Sequence, residues 1–247
     1  MTRVTWAAVS CALVVVTAAF GLKLLYSHAG ASELLWVLGP SCALARLGGI
    51  ELAYEAGAGF ISHRSHMVVG AACAGVNFLV MSWLALYFAA QARFAQLRSK
   101  LGWCGASLLG AFVATIATNA LRIVLAAQLY ELPLYGGWLT PTRLHRLLGI
   151  VLYCGALVVL CSLAEHWVGT ARRVRLAPLY WYLGIAVGLP LLKRAFVPSA
   201  GHSGRFSEHA LVTFGAAIGV IVVCRLFAWL LPRVVWLSWR LVGERER

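Results

Sequence analysis

Three residue types that together support nucleophilic catalysis occur far apart in the sequence, at Cys73, Arg122 and His145. A cysteine thiolate is a nucleophile, an imidazole transfers protons to and from it, and a guanidinium donates hydrogen bonds to a developing oxyanion. Each lies within or at the edge of a long apolar stretch. Ionisable groups in such stretches are costly and are therefore candidates for function. The three residues predict a cysteine–histidine–arginine active site.

Cys73 opens the apolar stretch 71–92, and Gly75 follows two residues later. The start of a helix presents unpaired amide N–H groups and the positive end of the helix dipole, which favour a thiolate. The alternative interpretation is a small apolar side chain, the common use of cysteine in membrane helices. Gly75 permits close approach by another backbone. We expect Cys73 to be the nucleophile.

A polar stripe runs along the apolar stretch 101–128. Thr115, Thr118, Asn119 and Arg122 follow the i, i+3, i+4, i+7 spacing of one helix face. Because lipid does not accommodate such a stripe, we expect it to point into a helical bundle. An arginine that reaches the membrane surface with its long side chain is the alternative interpretation. Asn119, one turn deeper, gains nothing from the surface and favours a functional role.

His145 begins the apolar stretch 144–168, with Gly149 one turn later on the same face. A glycine at this position lets a neighbouring helix pack closely. The flanking Arg143 and Arg146 are equally consistent with contacts to lipid phosphates. The predicted partners therefore include membrane lipids.

Composition identifies the class of protein that carries these residues. Of 247 residues, 62% are hydrophobic and only 12% are charged, whereas about 25% of residues are charged in soluble domains. The eight acidic residues are all Glu, and 21 Lys and Arg give a net charge of +13. The seven cysteines form no C-x-x-C pair, so neither a zinc knuckle nor a disulfide framework is indicated. The sequence predicts an integral membrane protein.

Six stretches are long and apolar enough to cross a bilayer. They are 4–25, 71–92, 101–128, 144–168, 177–192 and 210–231. A seventh stretch, 34–52, contains Pro40 and Arg46, and either crosses the membrane or re-enters on one side. The count is therefore six or seven spans, and the side on which the N-terminus lies stays open.

Basic residues orient these spans. They collect at 93–100, at 172–175 and in the tail 233–247, and the positive-inside rule places such segments in the cytoplasm. The three candidate catalytic residues then lie together at the outer surface. The segment 50–70 reads as a short extracytoplasmic hairpin before the Cys73 helix. The predicted fold is all-α, one domain over 1–247: a polytopic transmembrane bundle.

Three short motifs occur in this order: Cys73-Ala74-Gly75, Asn119-Ala120-Leu121-Arg122 and His145-Arg146-Leu147-Leu148-Gly149. They resemble the C-x-G, N-x-x-R and H-x-x-x-G motifs of the exosortase/archaeosortase family of membrane transpeptidases, most of all exosortase K. The resemblance covers about 50–166. Many members have Ser where this chain has Ala74, at a position that is not catalytic in the motif.

The resemblance implies a thiol peptidase and transpeptidase, a hydrolase of the cytoplasmic (inner) membrane that works on the extracytoplasmic side. Its partners would be exported proteins with a C-terminal sorting signal: a short motif, often Pro-Glu-Pro, then a hydrophobic helix and a basic tail. The cleaved protein would pass to an acceptor, which is water, an amine, a lipid or a polysaccharide. No cofactor is implied.

Roles for the residues follow as hypotheses. Cys73 attacks the scissile carbonyl, and Arg122 stabilises the oxyanion or orients the substrate. His145 protonates the leaving amine and later activates the acceptor. Asn119 supports the site by holding Arg122 in place.

Other classes make different predictions. A transporter would place polar groups near mid-bilayer, often in two similar halves, and no repeat is visible. A non-catalytic scaffold for envelope or exopolysaccharide assembly would not need Cys73. His63 and His66 are rival bases but supply at most two metal ligands, and H-E-x-x-H is absent. No pattern for nucleic-acid binding occurs.

Overall fold

The computed structural model describes residues 6–130 and 140–167, together with residues 132, 136, 215, 218, 219 and 222. The chain divides into two compact units, Met1–Arg172 and Arg173–Arg247. In the second unit the four described residues are helical. The predicted span 177–192 lies outside the described residues, and 210–231 is described only at those four.

The first unit is mainly helical. Its helices are α1 (Trp6–His28), α2 (Leu35–Leu47), α3 (Val76–Ala90), α4 (Leu97–Tyr130) and α5 (Pro141–Trp167). Among the described residues, four segments are long and apolar enough to cross a membrane: Trp6–His28, Ala71–Arg93, Leu97–Tyr130 and Arg143–Ala164. These helices confirm the prediction of a helical membrane protein.

Helix α2 is the helical part of the doubtful stretch 34–52. It has 13 residues with Pro40 inside it, and a helix of that length rises about 20 Å. Spanning the hydrocarbon core takes about 20 residues. Near the end of α2, Arg46 Nε donates a hydrogen bond at 3.0 Å to the carbonyl of Leu52, which lies beyond the helix. Arg46 therefore ties the end of α2 to the segment that follows, which explains a charged residue in this stretch.

A three-stranded antiparallel sheet forms where the sequence predicts a short hairpin. Its strands are β1 (Ala53–Glu55), β2 (Gly59–Ser62) and β3 (Met67–Val69), in the order β1-β2-β3. Phe60 of β2 pairs with Val69 of β3. Met67 and Val69 are buried while Val68 between them is exposed, the alternation expected when one face of a sheet packs on other elements.

The polypeptide between the sheet and α3 is not continuous helix, so the predicted start of a helix at residue 71 is wrong. Ala71–Cys73 form a 3₁₀ turn, and Gly75 follows with φ 73° before α3 begins at Val76. Glycine adopts this left-handed conformation without the steric cost that a Cβ brings. Cys73 therefore lies on a short turn ahead of α3, and Gly75 sets the change of direction between them.

One hydrophobic cluster joins the sheet to the helices at this end of the unit. It contains Leu38 of α2, Phe60 of β2, Val69 of β3, Val76 of α3 and Ile123 of α4. Helix α3 packs against α1, α4 and α5. The turn that carries Cys73 is thus held between the sheet and the ends of the helices.

Candidate active site

The structure brings the three predicted catalytic residues into contact. Cys73 Sγ lies 3.6 Å from His145 Nε2, and Arg122 Nη2 donates a hydrogen bond to the same Nε2 atom. Cys73 comes from the 3₁₀ turn, Arg122 from α4 and His145 from the first turns of α5. Seventy-two residues separate Cys73 from His145 in sequence, so only the packing of the helices creates this site.

The contact with Arg122 determines the protonation state of His145 in this arrangement. A guanidinium has donors and no acceptor, so Nε2 of His145 must accept and cannot carry a proton. The ring proton is therefore on Nδ1. The unprotonated Nε2 is the nitrogen that lies beside the thiol. The arrangement therefore places a base next to a candidate nucleophile.

Tyr153 is a member of the site that the sequence analysis missed. Its hydroxyl accepts a hydrogen bond from Arg122 Nη1 at 3.0 Å and donates one to Asn119 Oδ1 at 3.2 Å. Its ring stacks on Phe78 with centroids 4.7 Å apart. Tyr153 follows His145 by two helical turns on the same face of α5. That spacing is the sequence signal that could have found it.

The polar stripe on α4 is buried, as predicted, at Thr115, Thr118, Asn119 and Arg122. The side-chain oxygen of Asn119 accepts a hydrogen bond from the hydroxyl of Tyr153. Tyr153 in turn binds Arg122. Asn119 therefore supports the guanidinium through the tyrosine hydroxyl and not by direct contact.

Two glycines make room for this network. A Cβ on Gly149 would stand 3.1 Å from Arg122 Nε and 3.3 Å from its Cζ, so the guanidinium lies directly against the backbone of α5. A Cβ on Gly75 would stand 3.2 Å from the hydroxyl of Tyr153 and 3.7 Å from Cγ of Asn119. The glycines of the first and third motifs thus let α3, α4 and α5 bring their polar groups together.

We expect Gly149→Ala to lower the reactivity of Cys73 by about tenfold, because an added methyl group displaces Arg122 from His145, and a lost hydrogen bond from a charged group is worth about 1.5 kcal/mol. The measurement is the rate of alkylation of Cys73 by iodoacetamide in purified protein. Gly155→Ala on the same helix is the matched control, because a Cβ there meets nothing within 4 Å. Equal rates in the two variants would contradict the role assigned to Gly149.

Several hydrogen-bonding atoms of the site have no partner among the described residues. Asn119 Nδ2, Arg122 Nε and His145 Nδ1 are each buried and unpaired within that part of the chain. A narrow cleft reaches the site beside β3. Its lining consists of Met67, Val68, Val69, Cys73, Asn119, Arg122, Ile123 and His145.

The two rival bases lie elsewhere. His63 is 78% exposed and pairs with Glu55 at 3.3 Å. His66 is exposed in the turn between β2 and β3, where it adopts a φ of 48°. Neither lines the cleft beside Cys73. Within 6–130 and 140–167, no three His, Cys, Asp or Glu side chains are grouped to hold a metal ion.

Comparison of the chain with family models, curated proteins and solved structures finds no match. The assignment of a function therefore depends on the geometry of the site and on the sequence motifs.

Proposed function

We propose that the protein is a membrane cysteine peptidase and transpeptidase of the exosortase type. It cleaves the C-terminal sorting signal of exported proteins and transfers the cleaved protein to an acceptor. The observation that carries the proposal is the contact of Cys73 Sγ with the unprotonated Nε2 of His145, 3.6 Å away, with Arg122 bound to the same imidazole.

The proposed reaction has two halves. In the first, Arg122 Nη2 gives up its hydrogen bond to His145 Nε2, the proton of the Cys73 thiol passes to that nitrogen, and the thiolate attacks the scissile carbonyl carbon. The carbon–nitrogen bond then breaks, His145 returns the proton to the leaving amine, and Cys73 holds the substrate as a thioester. In the second half an acceptor attacks the thioester and gives its proton to His145, and the released Cys73 thiolate takes that proton back.

Arg122 contributes to both halves through its charge. Its guanidinium keeps His145 Nε2 unprotonated in the resting state because that atom must accept from it. After Nε2 takes the thiol proton, an imidazolium stands next to a guanidinium, and two like charges in contact repel each other. This repulsion favours passing the proton on to the leaving amine.

The proposed placement puts this site at the outer face of the cytoplasmic membrane. The basic segment 93–100 leads into the start of helix α4, and Arg122 lies toward the other end of the helix. The positive-inside rule assigns the start to the cytoplasm. The hydrophobic helix of the sorting signal would then lie beside the helices of the enzyme, with its scissile bond at the level of Cys73.

Thiol labelling in intact cells tests this placement. We expect a membrane-impermeant maleimide to label a variant whose only cysteine is Cys73 and to spare one whose only cysteine is Cys104. Both side chains are partly exposed, but Cys104 lies 18 residues before Arg122 on α4, about 27 Å along a helix. Both variants should react after the membrane is permeabilised. Labelling of Cys104 alone in intact cells would reverse the orientation.

The thioester is the intermediate that tests the proposed chemistry. Purified protein is mixed with a reporter that ends in Pro-Glu-Pro, a hydrophobic helix and a basic tail. We expect an adduct of the processed reporter on the Cys73 peptide by mass spectrometry, released by hydroxylamine. Cleavage with the adduct on another residue would overturn the assignment of the nucleophile.

A further inference from the structure

We infer that Asn119 is a catalytic residue whose side-chain amide nitrogen donates a hydrogen bond to the carbonyl oxygen that becomes negatively charged during attack by Cys73. The inference deepens the proposed function and rests on it. It gives Asn119 a role of its own in the reaction, beyond its support of Tyr153 and Arg122.

The hydrogen-bond network determines which way the amide of Asn119 points. Arg122 Nη1 can only donate, so the oxygen of Tyr153 accepts from it and the tyrosine hydroxyl proton goes to Asn119. The atom of Asn119 that receives this proton must be the carbonyl oxygen, because the amide nitrogen has no lone pair to offer. Nδ2 of Asn119 is therefore the atom that takes no part in this network.

That amide nitrogen is buried without a partner. Asn119 is 0% exposed, and no described residue accepts a hydrogen bond from Nδ2. An unpaired buried donor costs free energy, and such groups in native proteins call for an explanation. A ligand atom that accepts from Nδ2 only when substrate is bound explains the cost.

The position of Asn119 fits an acceptor on the substrate. Asn119 lines the cleft that also contains Cys73 and His145. Its Cγ lies 3.7 Å from the place a Cβ would occupy on Gly75, two residues after the nucleophile. A carbonyl attacked by Cys73 would then lie against this lining, which includes Asn119.

Arg122 and Asn119 then have separate tasks. Arg122 Nη1 binds Tyr153, Nη2 binds His145, and Nε faces Gly149, so the guanidinium positions the base. Asn119 provides a neutral donor for the oxyanion. Attack places an electron pair of the carbonyl bond on oxygen, the N–H of Asn119 stabilises that charge, and no proton is transferred from the amide.

Two reagents that react with the Cys73 thiol distinguish donation to the oxyanion from simple support of the site. Iodoacetamide alkylates Cys73 by displacing iodide and forms no oxyanion. p-Nitrophenyl acetate acylates Cys73 through a tetrahedral oxyanion and releases nitrophenolate. The acylation is measured as an initial burst in the absorbance of nitrophenolate. Both reactions are measured on the purified full chain, with Cys73→Ala providing the background.

We expect Asn119→Ala to slow acylation of Cys73 by about 10²–10³-fold and its alkylation by no more than about fivefold, because the donor to the oxyanion is lost while the support of Arg122 through Tyr153 is weakened by one hydrogen bond. Asn119→Asp keeps the acceptor for Tyr153 but removes the amide donor, so its acylation should also fall much further than its alkylation. Thr118→Ala, a buried neighbour on α4 that does not line the cleft, should leave both rates unchanged.

Other outcomes overturn the inference. An equal fall of both rates in the Asn119 variants would show that Asn119 only supports the thiol and its base. Unchanged acylation would show that it does not meet the oxyanion. If the unmodified protein shows no acylation above Cys73→Ala, the proposed function fails together with the inference. Acylation that depends on Cys73 but not on Asn119 leaves the proposed function standing and removes only the inference.

Discussion

Replacing Cys73 by alanine is expected to abolish processing of a sorting-signal reporter, with a loss of at least about 10³-fold. The variant removes the only side-chain nucleophile that contacts the imidazole of His145 in the described structure. A hydroxide or amine acceptor then has no thioester to attack. The measurement is the ratio of uncleaved to cleaved reporter in membranes, separated by gel electrophoresis.

Cys104→Ala is the matched control for this experiment. Cys104 is also a free and partly exposed cysteine, but it lies near the opposite end of α4. Processing should be normal in this variant. Full processing by Cys73→Ala would refute the peptidase proposal and favour the alternative of a non-catalytic membrane scaffold.

Replacing His145 by alanine is expected to reduce processing by about 10²–10⁴-fold, the range typical of a lost general acid–base. His145 both takes the proton of the thiol and returns it to the leaving amine, so the variant loses two proton transfers. Alkylation of Cys73 by iodoacetamide should slow as well, because the thiol no longer has a base at 3.6 Å. The two rates are measured on the same preparation.

Histidines of the sheet provide the controls for His145. His63→Ala and His66→Ala remove exposed imidazoles that do not line the cleft, and we expect normal processing in both. Added imidazole should partly restore alkylation of Cys73 in His145→Ala, because it supplies the missing base. Loss of processing in His63→Ala with normal processing in His145→Ala would show that His63, and not His145, is the base.

Residue type and spacing were enough to predict much of this protein. Long apolar stretches in the sequence coincide with the four described segments that are long and apolar enough to cross a membrane. The i, i+3, i+4, i+7 spacing of the stripe on α4 predicted its burial, which the structure confirms. Both predictions succeed because hydropathy and helical periodicity act over one or a few turns and can be read from neighbouring residues.

Local backbone conformation between the sheet and α3 was harder to predict. The stretch 71–92 is mostly apolar and favours one continuous helix. The break occurs at Gly75, which has a left-handed backbone and lies close to Tyr153 and Asn119. The sequence shows a glycine at this position, but the residues packed against it come from other helices.

The sequence by itself determined that the chain is a membrane protein and which residues are candidates for chemistry. Only the tertiary structure decided that Cys73, Arg122 and His145 meet, that Tyr153 connects Arg122 to Asn119, and which atoms of Asn119, Arg122 and His145 have no partner among the described residues. The physical reason is the separation in sequence over which each interaction acts. Solvation by lipid acts on each segment separately, whereas a hydrogen-bond network joins atoms whose residues lie tens of positions apart and exists only after the helices have packed.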